Sequence, residues 1–159
     1  MHANEGLIRR FYEAFANKDY KTMQEAYHSQ AGFSDPVFQS LSASEVRAMW
    51  KMLVTSASDL EINLNSAKAD DNRGQCQWEA LYTFSGTGRP VRNVIHATFC
   101  FRDGKILDHR DKFNFWRWSR MALGPTGLLL GWSPYLLHAV RMKARISLNK
   151  FMSNDGAKN

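Results

Sequence analysis

The sequence predicts an α+β domain in which helices come first and an antiparallel sheet follows. Two observations carry this: apolar residues recur at helical spacing up to about residue 55, and from Asp59 onward the period drops to two. A third is the punctuation of the alternating stretch by Asp70-Asp71-Asn72-Arg73-Gly74, Gly86-Thr87-Gly88-Arg89-Pro90 and Asp103-Gly104, which divides it into four strands.

Leu7, Ile8, Phe11 and Phe15, with Tyr12 one turn after Ile8, make residues 4 to 17 an amphipathic helix. Asp19 caps a short second helix whose apolar face is Met23 and Tyr27. The segment from Gly32 to Phe38 is too short for a helix and contains Pro36, which cannot donate to a ladder, so it is an edge strand or extended segment. Ser42 and Glu45 have the spacing of a capping box, and Val46, Met49, Trp50 and Leu53 behind them give a third helix ending near Thr55. Strands follow with Leu60, Ile62 and Leu64 alternating, then Cys76, Trp78, Ala80, Tyr82 and Phe84, and two more at about 91–102 and 105–116.

Strand faces are sorted by the hairpin at Asp103-Gly104, since a slip of one residue exchanges them. A two-residue loop pairs His96 with Asp111. A three-residue loop with Gly104 as bulge places Ile95, Ala97, Phe99 and Phe101 on one face with Leu107, His109, Asp111 and Phe113, and His96 on the other with Ile106. The second register separates apolar from polar more cleanly and is the one expected. It leaves an aspartate and a histidine on an otherwise apolar face.

The chain has 159 residues, 44% hydrophobic and 23% charged, enough for one domain with a sizeable core and not the composition of a disordered chain. Cys76 and Cys100 form neither a CxxC pair nor a Cys/His cluster, so no metal site, disulfide or other cofactor is expected. The first residues lack the pattern of a secretion signal, and a cytoplasmic location is expected. The net charge of +6 is unevenly spread. Residues 1–104 carry 11 Lys/Arg against 12 Asp/Glu, whereas residues 116–159 carry seven against Asp155 alone. These basic residues accompany no stacking platform or base-reading motif, so nucleic acid is not an expected partner.

The same tail has no charged residue from Met121 to Val140, but Pro125, Pro134 and three glycines interrupt it, so it does not read as a membrane span. Ser133-Pro134 opens a helix to about Met152 with apolar positions at Leu136, Leu137, Val140, Ala144, Leu148 and Phe151. Its expected role is to pack over the sheet or to meet a second copy in a homodimer. An interfacial membrane contact through Trp116, Trp118, Trp132 and Leu128-Leu129-Leu130 is the less favoured alternative.

The opening helix with Ala14-Phe15 and Asp19, the Asp35-Pro36 pair, and Asp103-Gly104-Lys105-Ile106-Leu107-Asp108-His109-Arg110-Asp111 resemble the nuclear transport factor 2-like superfamily. Within it the resemblance is to SnoaL-like polyketide cyclases and ketosteroid isomerases, over about residues 5 to 116. The resemblance implies a cone-like curved antiparallel sheet wrapped around the N-terminal helices with an internal apolar pocket, to which this chain adds a C-terminal helix. Residues 1–118 would form the cone and 119–159 the extension. It also implies roles. Asp35 falls where the isomerases keep their proton-shuttling aspartate, and Asp111 where the cyclases keep their acid/base aspartate. The isomerases' oxyanion donors are replaced here by Phe11 and Ala97, and the cyclases' histidine also falls at Ala97.

A carboxylate on an apolar face loses hydration and its pKa rises toward the range useful to a general base, which marks Asp111 and Asp35 as candidate catalytic groups. His109, two residues before Asp111 on the same face, is the candidate relay. Trp50, Trp78, Tyr82, Phe99 and Phe113 are candidates to line a pocket for a small hydrophobic ligand, with Tyr12 as a donor at its rim. The functional expectation is a cofactor-free isomerase, cyclase or dehydratase. The alternative is a non-catalytic ligand-binding or dimerisation module, in which the aromatics are core, Asp35 stabilises its turn and His109 is a satisfied buried histidine.

Overall fold

The computed structural model describes residues 1–158. Helices α1 (Ala3–Ala16) and α2 (Tyr20–Glu25) lead into strand β1 (Tyr27–Ser34), helix α3 (Ala43–Ser56) and strands β2 (Glu61–Ala69), β3 (Arg73–Phe84), β4 (Arg89–Arg102) and β5 (Lys105–Lys112). Helices α4 (Phe115–Leu123), α5 (Pro125–Leu130) and α6 (Pro134–Gly156) complete the chain. The five strands form one curved sheet in the order β1-β5-β4-β3-β2, antiparallel throughout except that β1 runs parallel to β5. The predicted α+β architecture, with helices on the concave side and an added C-terminal helix, is the one observed.

Local chemistry starts the first three helices. The His2 ring accepts the Asn4 N–H at 3.1 Å, and Asp19 Oδ1 accepts that of Thr22 at 3.1 Å. Ser42 and Glu45 form the expected reciprocal capping box, each side chain accepting the other's backbone N–H at 3.3 and 3.1 Å. Once capped, α1 lays Ile8, Phe11, Tyr12 and Phe15 against the concave face of the sheet, and α3 adds Val46, Met49 and Trp50 to the same core. Helix α6 rests on α3 through buried Leu148, with Lys51 paired to Asp155 at 2.7 Å and Arg145 to Glu45.

Four details differ from the sequence reading. Tyr27 does not belong to the face of α2: it opens β1, which starts well before Gly32 and is the parallel edge strand. Strand β5 ends at Lys112, because the Asn114 side chain accepts the Arg117 N–H at 3.0 Å and starts α4. Helices α4 and α5 occupy the apolar stretch to which no element had been assigned, α4 spans the expected 118/119 boundary, and α6 continues past Met152 to Gly156.

The fourth concerns the hairpin. Asp103 and Gly104 both have positive φ, at 53° and 70°, forming the two-residue turn rather than a three-residue loop, with Arg102 opposite Lys105 and Phe101 opposite Ile106. The register then shifts between Cys100 and Phe101, a bulge that absorbs Leu107, so Phe99 faces His109 and Ala97 faces Asp111. The expected grouping of His109 and Asp111 with the apolar face therefore holds, by a different route, and His96 points outward to solvent. Only the residues next to the turn change sides: Ile106 is fully buried and Leu107 half-buried.

That exchange is measurable. Ile106→Ala should lower unfolding free energy by about 3 kcal/mol and Leu107→Ala by clearly less, as read by urea denaturation. Equal losses, or a larger one at Leu107, would contradict the bulge.

Candidate functional site

The centre of the site is a chain of buried hydrogen bonds linking α3, β1 and β5. Trp50 Nε1–H can only donate, and it donates to Tyr27 Oη at 2.8 Å. The Tyr27 hydroxyl proton is then free for His109 Nδ1, 2.7 Å away. With Nδ1 accepting, the ring proton of a neutral His109 sits on Nε2 and is donated to Asp111 Oδ1 at 2.9 Å. Every donor points the same way, toward the carboxylate, so each bond polarises the next. His109 is 0% exposed and Asp111 5%, and aromatic rings enclose the histidine, with Phe99 4.4 Å and Phe33 5.0 Å away between ring centroids.

The second carboxylate lies alongside by strand geometry. In the parallel pair β1·β5, Phe33 is opposite His109 and Ser34 opposite Arg110, so Asp35, one step past the end of β1, comes level with Asp111 on the same face. Asp35 Oδ1 accepts the backbone N–H groups of Val37 and Phe38 at 2.7 and 2.5 Å, holding the turn that carries Pro36. Burial, reinforced by the Asp111 charge, pushes the Asp35 carboxyl up to about 7, although the two backbone N–H groups and Arg141 pull the other way. Both aspartates thus commit Oδ1 to structure, and neither Oδ2 accepts a hydrogen bond among the described residues.

Across the sheet from Asp111 the side chains are small: Ala97, Cys76 and Ala67 follow it rung by rung on β4, β3 and β2. Over this shallow stretch lies the Tyr12 hydroxyl, beside the Cys76 thiol, and on a ring 5.2 Å from that of Tyr12 is the buried Trp78 indole N–H, which has no partner among the described residues. Unpaired buried donors are uncommon and mark places where a water or a ligand atom belongs. Burial, with the Asp111 charge adding to it, holds the Tyr12 hydroxyl well above the ordinary tyrosine range and the Cys76 thiol at about 12, so both keep their protons.

The remaining predicted residues divide by what they touch. Tyr12 is 1% exposed, inside the core rather than at a rim. Trp50 and Phe99 pack around His109, and the Tyr82 hydroxyl accepts the indole N–H of Trp118 at 2.8 Å, tying α4 to β3. Phe113 is half-buried just past β5, in contact with both the main core and the smaller cluster around Val91, Trp118 and Ala122. Tyr27 is the member of the site that sequence reasoning missed: its aromatic spacing on from Met23 looked helical, and only its pairing with β5 brings it to His109. Two surface depressions, one of about 740 Å³ on the outer face by Gln75, Thr98, Asp108 and Arg110, the other of about 260 Å³ between Phe38 and α6, do not include Asp111. Among the described residues no group of three or more His, Cys, Asp or Glu side chains is placed to hold a metal ion, and no helix is long and apolar enough to cross a membrane.

Residues 8–109 match the SnoaL-like domain family. No curated protein matches the chain. Among solved structures, a nuclear transport factor 2-like protein of unknown function from Burkholderia pseudomallei is 18% identical, with a TM-score of 0.67 over 76% of this chain and 98% of that one. An epoxide hydrolase of the LEH-like type from M. tuberculosis is 16% identical, with a TM-score of 0.65 over 80% and 96%. IdmH of Streptomyces antibioticus, described as a candidate polyketide cyclase, is 19% identical, with a TM-score of 0.61 over 71% and 93%. At these identities the likeness is one of fold.

The environment of Asp35 has a consequence for stability. Its carboxyl rises from 3.8 to about 7 in the folded chain, so folding favours the protonated form. That contribution is complete below about pH 4 and is lost as pH rises through about 7. Asp35→Asn keeps an oxygen for Val37 and Phe38 but cannot ionise, so its Tm relative to the native chain should climb between about pH 5 and about pH 8. Parallel Tm curves over that interval would show that Asp35 titrates as an ordinary carboxylate.

Proposed function

The chain belongs to the SnoaL-like domain family, and from that premise we propose that it binds a small hydrophobic carbonyl compound between α1 and the concave face of the sheet and moves a proton on it. The observation that carries this reading is a buried carboxylate, Asp111, held through one oxygen by His109, with no hydrogen bond to the other and with the protonated Tyr12 hydroxyl within reach of its charge.

In the proposed reaction Asp111 Oδ2 takes the proton from a carbon next to the carbonyl, and the C–H electron pair moves toward the carbonyl oxygen. That oxygen gains charge and is met by the Tyr12 O–H, which burial keeps protonated, and by the Trp78 N–H. Tyr12 would thereby supply the oxyanion donor that Phe11 and Ala97 do not. His109 positions Asp111 through Nε2–H, and Asp35, titrating near neutrality, returns a proton at a second position. Isomerisation, cyclisation and loss of water can all begin with this proton transfer, and the fold neighbours include proteins described as an epoxide hydrolase and a candidate polyketide cyclase.

A second reading, a ligand-binding or dimerisation module without catalysis, is favoured by one observation: the Asp111 side chain is only 4% exposed and neither surface depression reaches it. Proton exchange separates the two. Cyclic ketones selected by thermal shift should exchange their α-hydrogens in deuterated buffer with the native chain, as followed by NMR. Asp111→Asn should slow exchange by about a hundredfold or more, and Tyr12→Phe by about tenfold or more, with ligand-induced thermal shifts retained. Thermal shifts without exchange would decide for the module.

A further inference from the structure

Apart from Met1, the large apolar residues that the fold leaves exposed all lie between Trp116 and Ile146, outside the residues that match the family. At the tip formed by α5 and the following loop, Leu128 is 48% exposed, Leu129 68%, Leu130 43% and Trp132 75%. Beside the tip, α6 presents Tyr135, Met142 and Ile146, all more than half exposed. At about 100° per residue these three fall nearly on one line along the helix, facing away from buried Leu148, with Lys143 and Lys150 flanking the line on one side and His138 and Arg145 on the other.

The tip is held firmly. Helix α5 packs so closely on α4 that a Cβ on Gly127 would overlap the Ser119 carbonyl. The last carbonyls of a helix lack helical partners, and here two are capped by indoles: Trp116 Nε1–H donates to Leu128 O at 3.3 Å and Trp132 Nε1–H to Leu129 O at 2.8 Å. Both tryptophans have thus satisfied their polar atom within the tip. Their rings and the three leucines can leave water without stranding a donor.

The charge that this segment itself contributes has one sign, although Glu45 of α3 pairs with Arg145 at the edge of the stripe. Between Asp111 and Asp155 the sequence contains no acidic residue and seven basic ones. Arg120 lies over the Trp116 ring at 4.7 Å, and Arg117, Arg120, Lys143 and Lys150 have no carboxylate partner among the described residues. A two-fold contact between copies through this patch would set these four unpaired cations against their equivalents. A surface of anionic phosphates meets them all.

We propose that the α5 tip and the outward stripe of α6 dock this protein on an anionic membrane surface, the leucines and Trp132 entering the headgroup–acyl boundary and the flanking cations binding lipid phosphate. Apolar insertion and basic attraction are the two signals that a stable peripheral contact needs. The test uses the full-length protein with vesicles of phosphatidylcholine alone and with about one third phosphatidylglycerol, read by cosedimentation and tryptophan emission. The protein should sediment with the anionic vesicles and its emission shift to the blue, with binding at least about tenfold weaker on phosphatidylcholine or at about 0.5 M salt. Leu128→Ser with Leu129→Ser, at exposed side chains that hold no hydrogen bond, should weaken binding by about tenfold or more with circular dichroism unchanged, and Arg117→Gln with Arg120→Gln should reduce its salt dependence. A protein that stays in the supernatant with anionic vesicles at low salt overturns the proposal. So does a dimer in analytical ultracentrifugation that Leu128→Ser with Leu129→Ser converts to monomer, because the patch then belongs to a second copy.

Discussion

A histidine and an aspartate inside an apolar core have to be hydrogen-bonded, and most of this structure follows from how that is done. Leaving either without a partner costs on the order of 1–3 kcal/mol or more for each stranded group. The chain from Trp50 through Tyr27 and His109 to Asp111 answers the requirement with one residue from α3, one from β1 and two from β5. It therefore also helps set where α3 lies on the sheet and how β1 is aligned beside β5. Because all its donors point toward Asp111, the polar cost of the interior is concentrated at one carboxylate with one free oxygen. Structure and candidate chemistry share that atom's surroundings.

The tail is connected to this centre through Asp35. Arg141 of α6 donates to Pro36 O at 2.9 Å, across the turn that Asp35 caps, and its charge acts on the Asp35 carboxyl against that of Asp111. At the same end of the sheet, Trp118 of α4 closes over Tyr82. The C-terminal helices are thus part of the Asp35 environment, and movement of α6 on α3 would alter the charge balance there. The surface proposed to meet lipid belongs to those same helices.

Much of the architecture was legible in the sequence because it is local. The capping box at Ser42 and Glu45, the apolar spacing of α1, the drop to period two after Asp59 and the Asp103-Gly104 turn each act within a few residues, and each reappears in the structure. The grouping of His109 and Asp111 with Phe99 and Ala97 was legible too, since alternation survives a bulge even when the pairing number changes. Where local signals competed, reading them failed: the apolar stretch after Met121 is cut by glycine and proline, yet α4 and α5 form because Gly127 allows them to pack closely.

Spacing and composition were enough for the class of fold, the order of its parts, the basic character of the tail and the presence of Asp111 and His109 on the inner face. Those are properties of spacing and composition, which a chain carries before it folds. It took the folded chain to bring Tyr27 to His109 and Asp35 level with Asp111, to set Tyr12 beside Cys76, and to leave the Trp78 N–H without a partner. Tyr27 and His109 are separated by 82 positions, and only the parallel pairing of β1 with β5 brings them together. Long-range strand pairing reflects the closure of the whole core and leaves no local pattern to read.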